Sequence, residues 1–308
     1  MQVRDNIHRL ILLFLVLAAS VAIAGQEFVY IPLDYPNSIG TCTRGMNDSG
    51  EIVGGYVDSS GNLHGFIRDK YGKYSAIDYP DESVTGTLAT GINNRHEIVG
   101  IYLYGDRRGA FRRGADGTFS AIDVTGFDPS AEPFVAGINR QGTVVGFLTV
   151  GGRNTGLRLG ADELVTEVAY PSAVETELGG ITDDGLTSGS YFDGVQLRGL
   201  LMQSGGSATS HEYPGAFHTW LLGLNRDSVA VGAYSTAAAR ELLNETHGLR
   251  LNKDGSFDVI EPPAAAASFA SAVNRNGYIV GCWVDSTGTT HGFLARPPLK
   301  QLPRSESR

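Results

Sequence analysis

The chain has 308 residues, in which 33 Asp and Glu outnumber 24 Lys and Arg to give a formal net charge of −9. The basic residues are dispersed, so the sequence lacks the positive footprint of a nucleic-acid-binding protein, and we expect no nucleic-acid partner. Glycine supplies 41 residues, nearly twice its usual share, which predicts a chain rich in turns and strands.

The N-terminus has the pattern of a secretory signal peptide. Arg4 and Arg9 precede an apolar run over residues 10–24, which ends in a small-residue A-x-A pattern. We expect residues 1–24 to be removed and the mature protein to be secreted or periplasmic, with no membrane span left. An uncleaved N-terminal anchor is the alternative.

A ten-residue motif then recurs six times along the chain. Its first copy is GMNDSGEIVG, its second GINNRHEIVG and its third GINRQGTVVG, and the six copies begin at Gly45, Gly91, Gly137, Gly180, Gly223 and Ala272. The spacing of 43 to 49 residues is regular enough to indicate a repeat architecture.

One repeat unit, residues 45–80, predicts four short strands, which we call A to D. Strand A ends at Gly45-Met46, and B, C and D cover residues 51–57, 64–68 and 74–78. An Asn-x-x-Gly turn follows strand A, with the Asn capping the turn and the Gly accepting a positive φ. Four antiparallel strands in about 45 residues are typical of one blade of a β-propeller.

The two ends of the chain predict how the repeats close. A D-type segment at residues 28–36 precedes the first A strand, whereas the last unit ends after its C strand, at residues 291–294. We therefore expect an all-β, six-bladed β-propeller with four-stranded blades over residues 25–298, closed into a ring when the N-terminal strand completes the last blade. Residues 299–308 read as a disordered tail.

The motif also carries a family resemblance. The pattern G-I-N-x-x-G-x-I-V-G-x-Y, followed by H-G-F and I-D-x-P, resembles the HAF-family extracellular repeat of secreted bacterial proteins. The resemblance covers roughly residues 28–296 and is weakest in the fourth unit, where Thr182 replaces the Asn and Leu200 the Phe. It implies export and a repeat fold, and no known reaction.

Candidate binding residues come from departures from the repeat. The A-to-B and C-to-D turns are uniform, whereas the D-to-A links and B-to-C loops vary and should share one face around the axis, which we call the variable face. Acidic groups ringed by arginine there would form a polar funnel for a hydroxyl-rich or mixed-charge ligand; ordinary solvated loops are the alternative. The ligand-binding candidates are Glu132, Arg153, Glu175, Glu177 and His218.

Two cysteines and three recurring histidines have structural interpretations. Ring closure would make the blades of Cys42 and Cys282 neighbours, so a closing disulfide is possible. His64, His247 and His291 recur at the head of strand C in separate blades, so we interpret them as hydrogen-bonding residues. The sequence predicts no metal and no cofactor.

These features favour a monomeric binding or interaction module with a polysaccharide or protein partner. An extracellular carbohydrate-active hydrolase or lyase is a second hypothesis, with Glu132, Glu175, Glu177 and His218 sharing acid and base roles. Against it, the sequence has no sialidase box, no G-x-S-x-G elbow and no HExxH motif. A structural protein of the envelope or matrix is a third.

Overall fold

A computed structural model describes residues 28–124, 126–238 and 245–297. In these ranges the chain forms 24 β-strands and no helix, so the prediction of an all-β fold is confirmed. No helix within the described residues is long and apolar enough to cross a membrane. The predicted signal peptide at 1–24 and tail at 299–308 lie outside the described residues.

The strands fall into four-stranded antiparallel groups, which we number as units one to six. Unit one has β2 (Gly40–Met46), β3 (Ile52–Val57), β4 (Leu63–Arg68) and β5 (Tyr74–Ile77). Unit two has β6 (Gly86–Ile92), β7 (Ile98–Tyr104), β8 (Arg107–Arg113) and β9 (Phe119–Ile122). Unit three has β10 (Glu132–Ile138), β11 (Val144–Val150), β12 (Arg153–Leu159) and β13 (Val165–Val168). A single parallel pairing between Leu63 and Gly86 joins units one and two into one eight-stranded sheet.

The remaining units repeat this order. Unit four has β14 (Glu175–Ile181), β15 (Thr187–Phe192), β16 (Leu197–Met202) and β17 (Ala208–His211). Unit five has β18 (His218–Leu224), β19 (Ala230–Ser235), β20 (His247–Leu251) and β21 (Phe257–Val259). Unit six has β22 (Ala267–Val273), β23 (Ile279–Val284), β24 (Thr290–Arg296) and, from the other end of the chain, β1 (Val29–Pro32).

The N-terminal strand is the outer strand of unit six. β1 pairs antiparallel with β24, from Val29 opposite Arg296 to Pro32 opposite Phe293. Just beyond β1, Asp34 Oδ2 lies 3.0 Å from His291 Nδ1, while Asp285 Oδ2 lies 3.5 Å from His291 Nε2. Burial lowers the pKa of His291, but the hydrogen bonds and charges of Asp34 and Asp285 outweigh it, and the net pKa is raised.

The first strand of each unit is the inner strand, and the motif glycine lies where neighbouring inner strands meet. A Cβ added at Gly91 would sit 2.7 Å from the Ala136 carbonyl oxygen, and one at Gly223 would sit 2.4 Å from the Ser271 carbonyl oxygen. At these two positions the glycine is therefore required by close backbone approach, since an added Cβ would meet a carbonyl oxygen of the next inner strand.

The motif asparagine makes hydrogen bonds within its own unit and to the next unit. Asn93 Oδ1 accepts the N–H groups of Arg95 (2.9 Å) and Glu97 (3.0 Å), as a turn cap does. Its Nδ2 also donates to the Asn139 carbonyl of the next unit at 2.9 Å. Asn47, Asn139 and Asn225 make the same bond forward, to Asn93, Thr182 and Asn274 respectively. Thr182, which occupies the same position in unit four, has no side-chain amide and cannot donate this bond.

Unit one is also joined to unit six. Cys42 on β2 and Cys282 on β23 form a disulfide, with their Cα atoms 5.1 Å apart. The Thr43 hydroxyl donates to the Gly281 carbonyl at 2.6 Å, and the Ser271 hydroxyl donates to the Thr43 carbonyl at 2.9 Å. The first and last repeats of the sequence are therefore direct neighbours.

Candidate binding cavity between the inner strands

A cavity of about 80 Å³ lies between the inner strands, and all six of them line it. Each strand contributes the residue that immediately precedes the first position of the motif. These residues are Arg44, Thr90, Ala136, Gly179, Leu222 and Ser271. Five are small, hydroxylated or apolar, so Arg44 is the single charged group in this layer.

Arg44 is held in the cavity without a carboxylate partner among the described residues. Its guanidinium carbon lies 5.0 Å from the centroid of the Phe269 ring, a cation–π contact. Nε is buried and has no hydrogen-bond partner in the described part of the chain. Burial lowers the pKa of the Arg44 guanidinium to about 10, which leaves it a cation at neutral pH.

A carboxylate lines the same cavity. Glu177 on β14 stands three positions before the motif, where the other units place Cys42, Leu88, Phe134, Trp220 and Phe269. Asn154 Nδ2 donates to Glu177 Oε1 at 2.6 Å, and the Thr149 hydroxyl donates to Asn154 Oδ1 at 2.8 Å. This chain of hydrogen bonds fixes the orientation of a carboxylate that replaces an apolar residue of the repeat.

One wall of the cavity is aromatic and rigid. Phe134 and Phe147 stack with their centroids 5.0 Å apart, and the Arg108 guanidinium carbon lies 5.6 Å and 5.9 Å from the two rings. Arg108 Nε donates to the Pro133 carbonyl at 2.9 Å, and Nη2 donates to Thr149 Oγ1 at 3.1 Å. The cavity thus combines a cation, an oriented carboxylate and an aromatic wall.

The predicted site residues are distributed over several places. Glu177 lines the cavity, whereas Arg153 and Glu175 line a separate groove of about 360 Å³ between units three and four. Asn154 also lines this groove, so one residue connects it to Glu177. Glu132 Oε1 lies 3.9 Å from Arg107 Nε, and Glu132 lines neither the cavity nor the groove.

His218 has a structural environment. It is 1% exposed, and its Nδ1 accepts the Leu197 N–H at 2.9 Å. Nε2 therefore carries the proton and donates to the Ala238 carbonyl at 3.0 Å. Both ring nitrogens are engaged by the main chain, which leaves neither one to bind a ligand.

Arg44 is the residue that sequence reasoning missed. The candidates that the sequence predicts lie in loops that depart from the repeat, whereas Arg44 lies at a repeated strand position, where a packing role is expected. The available signal was an exception at an aligned strand position, since Arg44 is charged where the other units have Thr90, Ala136, Gly179, Leu222 and Ser271. The same test singles out Glu177.

Comparisons with known proteins show the fold alone. The sequence matches no family model and no curated protein. Among solved structures it is similar to a catalytically inactive virginiamycin B lyase from Staphylococcus aureus with quinupristin (TM-score 0.51, 13% identity, 87% of this chain and 88% of that one). It is also similar to a gluconolactonase from Xanthomonas campestris (0.52, 12%, 89% and 92%) and to a luciferin-regenerating enzyme (0.53, 11%, 88% and 95%). These neighbours support a β-propeller fold.

Proposed function

We propose that the chain is an exported, six-bladed β-propeller of the HAF-repeat kind that binds an extracellular ligand, a polysaccharide or a protein, through its inner cavity and variable face. Six four-stranded units, a cavity lined by all six inner strands and the junction of units one and six support a closed ring. The disulfide supports export, because such bonds persist in oxidising compartments. The copies of the motif are the support for the HAF assignment.

Arg44 carries the binding proposal. Burying a cation without a carboxylate costs free energy, and a fold tolerates that cost where the cation has a function. A carboxylate or carbonyl oxygen of a ligand would give Arg44 the hydrogen bonds that it lacks, while hydroxyl or ammonium groups would donate to Glu177. The ligand class that fits is a sugar acid or another small group with both an acceptor and donors.

The volumes of the cavity and the groove indicate which part of a ligand each one can bind. About 80 Å³ accommodates several water molecules or one substituent, so the cavity takes a terminal group and excludes a whole oligosaccharide. The adjoining groove is larger and combines Arg153 and Glu175 with the exposed apolar side chains of Phe127 and Val174. It can hold the remainder of a polysaccharide chain or a protein loop.

Geometry favours binding over the carbohydrate-active hydrolase or lyase. That alternative gave His218 an acid or base role, and both of its ring nitrogens are occupied by the main chain. A structural envelope or matrix role would show as self-association in place of ligand binding.

The test is a thermal-shift and calorimetric screen of residues 25–308 against sugar acids, neutral oligosaccharides and cell-wall fragments. We expect a carboxylated ligand to bind, and Arg44→Gln and Glu177→Gln to weaken binding by about tenfold or more each. Arg68→Gln is the control, since Arg68 contacts Tyr74 on the outer part of unit one. A ligand that binds equally well to Arg44→Gln would remove the cavity from the proposal, and self-association without any ligand would favour the matrix role.

A further inference from the structure

A second concave site lies beyond the motif glycines, at the A-to-B turns that sequence reasoning assigned to the scaffold. This basin has a volume of about 270 Å³, and the turns of all six units line it. The residue after each motif asparagine, or after Thr182 in unit four, contributes to its rim. These residues are Asp48, Asn94, Arg140, Asp183, Arg226 and Arg275.

The six turns are close enough for their side chains to reach one ligand. The forward hydrogen bonds from Asn47, Asn93, Asn139 and Asn225 hold consecutive turns at 2.9 to 3.2 Å between amide nitrogen and carbonyl oxygen. The next residue of each turn therefore stands over a narrow common opening. The basin is fixed by the repeat itself, so a ligand would meet a preformed site.

The acidic residues of the rim accept hydrogen bonds from neighbouring turns. Asp48 Oδ1 accepts the Arg275 N–H at 2.8 Å, and its Oδ2 accepts Asn94 Nδ2 at 2.9 Å. Asp183 Oδ1 accepts the Arg140 N–H at 2.8 Å. These two carboxylates tie three pairs of neighbouring turns together, and their oxygens accept two backbone N–H groups and one side-chain amide.

Unlike the carboxylates, the guanidinium groups of the rim arginines are not used in bonds among the described residues. Arg140, Arg226 and Arg275 are exposed, and their guanidinium groups bond to no other side chain or carbonyl in the described part of the chain. Arg226 and Arg275 belong to adjacent units, and Arg140 approaches from unit three across the opening. Three planar, donor-rich cations around one basin form a surface for an oxyanion in a protein whose net charge is −9.

We propose that this basin binds a multiply charged oxyanion, such as a sulfate, a phosphate or a cluster of carboxylates, through Arg140, Arg226 and Arg275. The basin and the cavity of Arg44 have different lining residues. Between them lies a further void of about 90 Å³, which is lined by the layer of Arg44 and by a ring of Met46, Ile92, Ile138, Ile181, Leu224 and Val273. The basin is therefore one end of a passage along the inner strands, and the arginines of the rim belong to it alone.

The experiment is calorimetry at constant ionic strength with inorganic sulfate, pyrophosphate and citrate. We expect at least one anion to bind, and the triple variant Arg140→Ser, Arg226→Ser, Arg275→Ser to weaken it by about tenfold or more. The matched control, Lys70→Ser, Lys73→Ser, Lys253→Ser, removes three exposed positive charges elsewhere and should bind normally. The triple Arg→Lys variant keeps the charge but not the planar fork, and should give an intermediate affinity.

Other outcomes count against the basin. An equal loss in both serine variants would mean a general charge effect, and no binding of any anion by the unmodified protein would overturn the proposal. An Arg44→Gln variant that keeps anion binding would show that the basin and the inner cavity are distinct sites.

Discussion

At the residue scale, Arg44 combines a cost in stability with the proposed role in binding. The side chain is half-buried, its buried Nε lacks a hydrogen bond among the described residues, and the Phe269 contact compensates the cation only in part. Cation–π contacts contribute about 0.5–2 kcal/mol, which is less than the cost of removing a charge from water. Evolution for stability alone would place an apolar side chain here.

We therefore predict that Arg44→Met stabilises the protein while it abolishes ligand binding in the cavity. The thioether keeps contact with Phe269 without a charge to desolvate, so the free energy of unfolding should rise by about 1 kcal/mol. Urea denaturation measures this change. Arg68→Met serves as the control, because Arg68 is also half-buried over an aromatic ring but lies on the outer part of unit one, and it should change stability little. A marked loss of stability in Arg44→Met would show that the cation has a structural role.

The motif glycines give a second prediction at this scale. In Gly223→Ala the new Cβ would meet the Ser271 carbonyl oxygen at 2.4 Å, and backbone cannot move aside as a flexible side chain can. We expect a loss of about 2 kcal/mol in the free energy of unfolding. Gly205→Ala is the matched control, because nothing lies within 4 Å of its added Cβ. Equal stabilities of the two variants would contradict the close-approach explanation.

At the element scale, β1 is held by its pairing with β24 and by the contact of Asp34 with His291. Because the pKa of His291 is raised in the native state, the folded protein binds a proton more tightly than the unfolded chain does. This contribution to stability is fully present below the unfolded pKa of about 6.5, and it is lost as the pH rises through the raised native value.

The prediction is that Asp34→Asn lowers the melting temperature more at pH 5.5 than at pH 8. Asparagine keeps an oxygen for the Gly292 N–H, which Asp34 Oδ1 accepts at 3.3 Å, so only the charge is lost. Asp78→Asn is the matched control, since Asp78 contacts His64 in the same way within the locally connected hairpin of unit one. A pH-independent effect of Asp34→Asn would contradict the linkage.

The bounds of the strands could be predicted from the sequence, but the contents of the cavity could not. Strand bounds followed closely from local chemistry: residues 51–57 were expected for strand B and Ile52–Val57 are observed, because the Asn47 turn is coded by its neighbours. The presence of Arg44 and Glu177 in one cavity was not foreseeable. It depends on how the inner strands converge, and these residues are 133 positions apart in different units. The proximity of Arg153 to Glu175 likewise depends on packing between units.

At the scale of the whole molecule, the disulfide joins the first and last units across 240 residues. In the chain-entropy model, a loop of this length stabilises the folded state by up to about 5 kcal/mol. We predict that the Cys42→Ser, Cys282→Ser double variant unfolds at a lower temperature and that reductant lowers the melting temperature of the unmodified protein by a similar amount. Reductant should leave the double variant unchanged, and any shift there would point to an effect other than this bond.

The position of β1 in unit six has a consequence for how the protein is made. β1 is synthesised before every other described strand, and its partner β24 is the last of them. Through nearly the whole of translation, the nascent chain therefore carries an unpaired strand edge and an unoxidised Cys42 whose partner does not yet exist. A product truncated before β23 lacks both the strand that pairs with β1 and the cysteine that pairs with Cys42. Every such incomplete chain would therefore carry a free thiol and an unpaired strand edge.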